Sequence, residues 1–262
     1  MPIPYPCCPK CGHRPLPADQ AFPAACPGCG VILAKVGQVA PRAPPAPGAA
    51  AALQHDAPAW QEAEPGWAAL LTHIPQQVDA MTFWLRVAIL VGLAFWAWVL
   101  IRLDYRSGDM GASFIHRPIL VFHEAGHIIF MPLGEWMTVM GGTLGQLIMP
   151  IILGGALLIK NRDPFGAAVG LWFLGVSLLD IAPYMYDALQ PQLVLLSGQV
   201  GEAGGHDWIY LFSSMGLLPR AQLIGGLTHK AGALVVLASL AWGAWLRRRQ
   251  YPRLVDHVRR ED

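Results

Sequence analysis

Charged residues are scarce in this chain: Asp, Glu, Lys and Arg make up 13% of its 262 residues, against 54% hydrophobic. A soluble domain carries roughly 25% charged residues, so the sequence lacks the solvated surface an ordinary globular protein of this length needs. The 18 basic and 17 acidic groups leave a net charge of +1, which excludes binding to nucleic acid by bulk electrostatics, and no nucleic-acid partner is expected. The first eight residues, MPIPYPCC, have neither a basic n-region nor an apolar h-region. They do not read as a cleavable signal peptide, so membrane insertion falls to internal segments. All five cysteines and most of the prolines lie in the first 80 residues; the long apolar runs lie after them.

The first 36 residues contain two Cys-x-x-Cys knuckles, Cys8 to Cys11 and Cys26 to Cys29, each followed by glycine. Tandem knuckles at this separation have the spacing of a zinc ribbon, with Cys8, Cys11, Cys26 and Cys29 as ligands of one structural zinc ion. So short a segment buries too little apolar surface to fold unaided, and a metal supplies the missing stability. Paired disulfides are the alternative reading of the same thiols. Cys7 is spare, or replaces Cys8. A four-thiolate site has no open position for chemistry, and none is assigned to it.

Residues 37–80 read as a Pro/Ala-rich linker, extended through 66, with a short amphipathic surface helix over 67–80. Residues 81–250 read as an all-α, polytopic helical membrane domain of about five spans, at 82–103, 118–133, 140–159, 165–188 and 231–245. Each is an apolar run near the length that crosses the hydrocarbon, so the lipid bilayer is the first partner. Residues 251–262 form a basic and polar tail. Arg102, Arg106 and Arg117 follow the first run, Lys160 and Arg162 the third, and Arg247, Arg248, Arg249 and Arg253 the fifth. If all five cross, these clusters share one side with the C-terminus, the cytoplasmic side of a cell (inner) membrane. That arrangement sends the ribbon outside, where thiols oxidise. Keeping the ribbon cytosolic, as expected here, requires one re-entrant segment or a further crossing within 208–228.

Within the second run stands an H-E-x-x-H motif, His123, Glu124, Ala125, Gly126, His127. Residues i and i+4 share a helix face, so both imidazoles can hold one zinc ion, with Glu124 beside its water as general base. Two His and one Glu in an apolar helix cost several kcal/mol unless paired or metal-bound, which marks a functional site. Hydrogen bonding between helices is the plainer alternative. A catalytic zinc needs a third protein ligand and an open position. Asp187 is the first choice, because Asp180 and Asp187 are spaced i, i+7 near one helical face with Pro183 kinking the helix between them. Asp180 then orients a ligand imidazole or hydrogen-bonds the kink, and the plainer alternative for Asp187 is that it ends the span at the interface. His206 and Asp207, in the Gly-rich stretch 204–208, are the rival donors if that loop folds back; otherwise they belong to a solvated interfacial loop anchored by Trp208. His116 and His229 flank helix ends and receive no role.

These residues resemble the site-2 protease family of intramembrane zinc metalloproteases, which pairs a membrane-embedded H-E-x-x-H with a later N-x-x-P-x-x-x-x-D-G. His123, Glu124 and His127 match the first motif. Asp180 to Pro183 matches N-x-x-P with Asp for Asn, and Asp187 comes one residue early, with Ala188 in place of Gly. The resemblance covers roughly residues 115–190 and shows no PDZ-like insert. It implies a catalytic zinc on His123, His127 and Asp187, Glu124 as catalytic base, and a membrane-protein substrate. It also implies that irregular backbone near Gly142, with the Gln146 amide, grips an extended substrate; close helix packing explains the same glycines. The expectation is a zinc metallopeptidase with one catalytic and one structural zinc. A non-proteolytic membrane protein with a partner-recruiting ribbon is the alternative, and a divalent-metal transporter, which needs polar positions in several helices, fits less well.

Overall fold

The computed structural model describes residues 6–8, 11–14, 16, 25–29, 33, 66–75 and 79–261, with side chains described through Leu254. The expected linker over 37–65 lies outside the described residues. The chain divides into two compact units, Met1–Glu62 and Ala63–Asp262. In the first, the described residues centre on the four knuckle cysteines, with Cys8, Cys26 and Leu33 buried together. Gly12 takes a left-handed φ of 73° just after Cys11, the conformation glycine supplies at no steric cost in a tight knuckle turn.

The second unit is all-helical among the described residues. Its helices are α1 (Trp67–Leu71), α2 (Ala80–Arg102), α3 (His116–Phe130), α4 (Glu135–Ile159), α5 (Pro164–Asp187), α6 (Asp207–Ser214) and α7 (Ala221–Glu261). The amphipathic helix expected over 67–80 is reduced to the five residues of α1. Asp79 caps α2, its carboxylate accepting from the Thr82 N–H at 2.7 Å, as an N-cap side chain does. Met81, Trp84, Leu85, Val91, Phe95 and Trp98 point outward from α2 and are exposed. So large an uncovered apolar surface belongs in lipid rather than in water.

Four segments are long and apolar enough to cross a membrane: Ala80–Arg102, Glu135–Ile159, Pro164–Asp187 and Leu218–Leu254. The five expected runs therefore need correcting at two points. The run at 118–133 is α3, whose 15 residues rise only about 22 Å against a hydrocarbon core of about 30 Å. The run at 231–245 is the middle of α7, a helix of 41 residues. Two thirds of the apolar window of α5 is buried, against 11% for α2, so α5 is the central post of the bundle.

Contacts at the helix ends fix the topology. Arg86 near the start of α2 makes two 3.0 Å hydrogen bonds to Asp163, which caps α5, and Phe83 packs on Leu254 of α7. At the opposite end, Tyr105 just after α2 packs on Tyr186 and His229, with centroids 5.7 and 4.8 Å apart. Between α2 and α4 the chain enters the bundle and returns: Met110, Ile115 and Ile119 join the core with Trp172, Val176 and Val236, and Phe130 ends α3 against Gly141. Arg102 and Arg106 thus lie at the end opposite Lys160, Arg162 and Arg247 to Arg253. A single side for all three clusters is expected only if all five runs cross, and α3 is not among the four segments long and apolar enough to do so.

Glycine seams bring the helices together where side chains would hold them apart. Gly175 meets Val236 and Gly232 of α7, while Gly126 of α3 lies directly against Gly141 and Gly145 of α4. A Cβ on Gly145 would collide with the Phe122 carbonyl oxygen and meet the Gly126 Cα at 2.9 Å. Neither is the yielding end of a flexible side chain. Helix propensity alone favours Ala over Gly by about 1 kcal/mol, so the sign of the result is informative. Gly145→Ala is expected to destabilise by about 1–3 kcal/mol through overpacking, read as a lowered thermal midpoint in detergent. A raised midpoint would mean that α3 and α4 do not approach this closely.

Candidate functional site

Sulfur geometry defines the first candidate metal centre. Cys8 Sγ and Cys29 Sγ are 3.7 Å apart, and Cys11 Sγ and Cys26 Sγ 3.8 Å; all four sulfurs lie within 4.8 Å of one another. Four thiolates at about 2.3 Å from one tetrahedral ion stand about 3.8 Å apart, whereas a disulfide would bring two of them to about 2 Å. The four cysteines are placed so that they could hold one metal ion, and their sulfurs stand apart as free thiols rather than as paired disulfides.

The second centre is built around α3, where His123 and His127 stand one turn apart with ring centroids 4.8 Å from each other. Each imidazole is fixed from behind. His123 Nδ1 donates to Gln146 Oε1 at 2.8 Å, and the Gln146 Nε2 donates to the Ser177 carbonyl at 3.3 Å, which sets the amide the right way round. His127 Nδ1 donates to the Thr138 carbonyl at 2.8 Å. With both Nδ1 protons engaged, both Nε2 lone pairs point forward, as in histidines whose second nitrogen is held by an acceptor behind a metal. Asp207 Oδ2 meets them, 2.9 Å from His123 Nε2 and 3.4 Å from His127 Nε2. Burial would push the Asp207 carboxyl up, but the two imidazoles outweigh it and hold it below the usual carboxylate range.

With neutral imidazoles three acceptor atoms face one another; a proton on either Nε2 makes that contact a His–Asp hydrogen bond, and a cation between them satisfies all three at once. Ligand atoms about 2.0–2.1 Å from one tetrahedral ion stand about 3.3–3.4 Å apart; the 3.4 Å His127 contact has that spacing, and the 2.9 Å His123 contact is at hydrogen-bond length. Gly142 supplies the room: a Cβ there would fall 2.5 Å from His123 Nε2 and 2.6 Å from His127 Nε2. Glu124 presents its carboxylate within 4.8 Å of the two imidazole donors and lines a cavity of about 1020 Å³ that also holds His116, Asp180 and Tyr184. His123, Glu124 and His127 are therefore a second group that could hold a metal ion, beside an open volume.

Several assignments made from sequence change here. Asp187 does not reach the imidazoles. Its Oδ1 accepts from the backbone N–H groups of Gln192 and Leu193, and its Oδ2 faces His206 Nε2 at 3.3 Å. Asp207, the rival, is the carboxylate that meets the two imidazoles, carried there by the start of α6. His206 is not a ligand but the N-cap of that helix, its Nδ1 accepting from the Ile209 N–H. Trp208 is buried rather than interfacial. Gln146 holds His123, and Gly141, Gly142 and Gly145 are regular helix rather than irregular backbone; Gly141 and Gly145 pack against Gly126, and Gly142 faces the two imidazoles. Asp180 does orient an imidazole, but it is that of His116, at 2.7 Å. Sequence reasoning gave His116 no role; its i, i+7 spacing from His123 on an apolar helix was the available signal.

No family model, no curated protein and no solved structure matches this chain. The purified protein is expected to carry two metal ions per chain. Gly142→Ala should lower the count to one by filling the space in front of the imidazoles, while the cysteine-bound ion stays. Elemental analysis of both proteins checks this; two ions in the variant would place the second metal elsewhere.

Proposed function

We propose that this chain is an intramembrane zinc hydrolase, a metalloprotease of the site-2 type, acting on a membrane-tethered protein. The observation that carries the reading is the convergence of two imidazole lone pairs and one carboxylate on the space left by Gly142, with Glu124 alongside. His123, His127 and Asp207 would hold the zinc, the three-ligand set that leaves a fourth position open. When bound there, zinc polarises a carbonyl and brings the pKa of water towards ~7. Glu124 accepts a proton from the attacking water and passes it to the leaving amine nitrogen, so one carboxylate serves as base and then acid. Gln146 and the Thr138 carbonyl keep both imidazoles in the liganding tautomer throughout. The dip of the chain before α3 supports a site below the membrane surface, where a spanning substrate must be unwound before its carbonyl is accessible.

The four cysteines fit a structural zinc. Lys160, Arg162, Arg247, Arg248, Arg249 and Arg253 gather at the end where the chain enters and leaves the four-helix domain, and the basic side of such a domain faces the cytoplasm. With four crossings, N- and C-terminal segments share that face, and the ribbon's thiols stay in a reducing compartment. The conflict between charge placement and thiol chemistry disappears.

Glu124→Gln is the decisive variant. It should retain two zinc ions per chain yet lose cleavage of a panel of tagged single-span model proteins, co-reconstituted in vesicles, by on the order of 10²–10⁴-fold. Cleavage at the wild-type rate would remove the mechanism. Wild-type protein that carries only the cysteine-bound ion would favour the alternative of a non-proteolytic membrane protein.

A further inference from the structure

One carboxylate ties both ends of the segment that delivers Asp207. Asp187 closes α5, and its Oδ1 accepts from Gln192 N–H at 2.8 Å and Leu193 N–H at 3.2 Å, at the start of the connection to α6. Its Oδ2 faces His206 Nε2 at 3.3 Å, at the far end of the same connection. Both of these atoms are buried and neither makes a hydrogen bond, so the 3.3 Å approach is an ion-pair contact and the closest polar neighbour shown for either. The proton on His206 is placed by the chain itself: Nδ1 accepts from Ile209 N–H at 3.3 Å, which leaves Nε2 as the protonated nitrogen turned to Asp187. Tyr184, one turn before Asp187, completes the seat. Its ring lies on that of His206 with centroids 4.2 Å apart, and its hydroxyl oxygen accepts from the Asp207 backbone N–H at 2.9 Å.

We propose that Asp187, His206 and Tyr184 form a positioning device that sets the Asp207 carboxylate against His123 and His127. It rests on the metal-centre reading above. The connection it holds has glycines at positive φ at Gly198, Gly201 and Gly205 and exposes Val194 and Leu196. Trp208, Ile209, Leu211 and Phe212 seat α6 in a buried cluster, and the device adds the polar contacts that aim the Asp207 carboxylate, which must be held to within a fraction of an ångström to close a metal site. Outer groups that orient ligands typically change metal affinity 10–100-fold when lost. Asp187 thus acts on the metal through Asp207 without touching it.

The test uses the full chain in detergent, loaded with Co(II), whose visible spectrum reports coordination at the histidine centre and whose affinity is measured by chelator competition. Asp187→Asn should weaken this centre about 10–100-fold and shift its spectrum, while the cysteine-bound ion and the far-UV circular dichroism stay as in wild type. His206→Ala should do the same. His206→Gln, whose amide N–H can still face Asp187, should recover most of the affinity. If Asp187→Asn does not fold, Tyr184→Phe carries the test, since it removes only the acceptor for the Asp207 N–H. Wild-type affinity and spectrum in the folded Asp187→Asn or Tyr184→Phe protein would overturn the device. A wild-type chain with no Co(II) at the histidine centre would instead overturn the metal-centre reading beneath it.

Discussion

Three acceptors facing one another, His123 Nε2, His127 Nε2 and Asp207 Oδ2, impose the constraint around which the membrane unit is arranged. Such a cluster is unfavourable in an apolar interior unless a cation or a proton lies within it. Everything immediately behind it works to keep the lone pairs in place. Gln146 and the Thr138 carbonyl remove the alternative tautomers, and Ser177 removes the alternative amide orientation. The polarity is thus structured in two shells, and α4 and α5 each contribute to the second.

The glycine seam between α3 and α4 follows from the same need. Imidazoles on α3 can be held by Gln146 and by the Thr138 carbonyl of α4 only if the two backbones approach closely, and Gly126, Gly141 and Gly145 permit that approach. Gly142 then leaves open the space in front of the two imidazoles that a Cβ would fill. Four neighbouring small residues on two helices serve two purposes, and the difference is visible only as what an added methyl group would strike. The short length of α3 belongs with this arrangement: a helix that need not cross can tilt and stop where its ligands are needed, between the core residues Met110 and Ile119 and the turn after Phe130.

The expectations from sequence succeed where chemistry is local. Cys-x-x-Cys and H-E-x-x-H fix their residues within one turn of backbone, so spacing alone brings Cys8 to Cys11 and His123 to His127. The apolar runs likewise announce spanning helices, because a bilayer demands length and hydropathy and little else. The third donor is a different problem. Asp187 had the helical spacing and the motif, but it caps a loop; Asp207 lies 84 residues from His123, and no periodicity reaches that far. His116 was passed over for the same reason, its partner Asp180 being 64 residues away.

Composition and short motifs by themselves determined that the chain is a helical membrane protein with a four-cysteine cluster and a His/Glu/His group on one helix. Those properties depend on burial and on distances within one turn, which the order of residues sets directly. Tertiary structure alone decided that α3 stops short of a crossing, that Asp207 rather than Asp187 meets the imidazoles, and that Gln146 stands behind His123. Each depends on how rigid helices pack, and packing is settled by the fit of whole surfaces, in which a glycine seam counts for as much as a carboxylate.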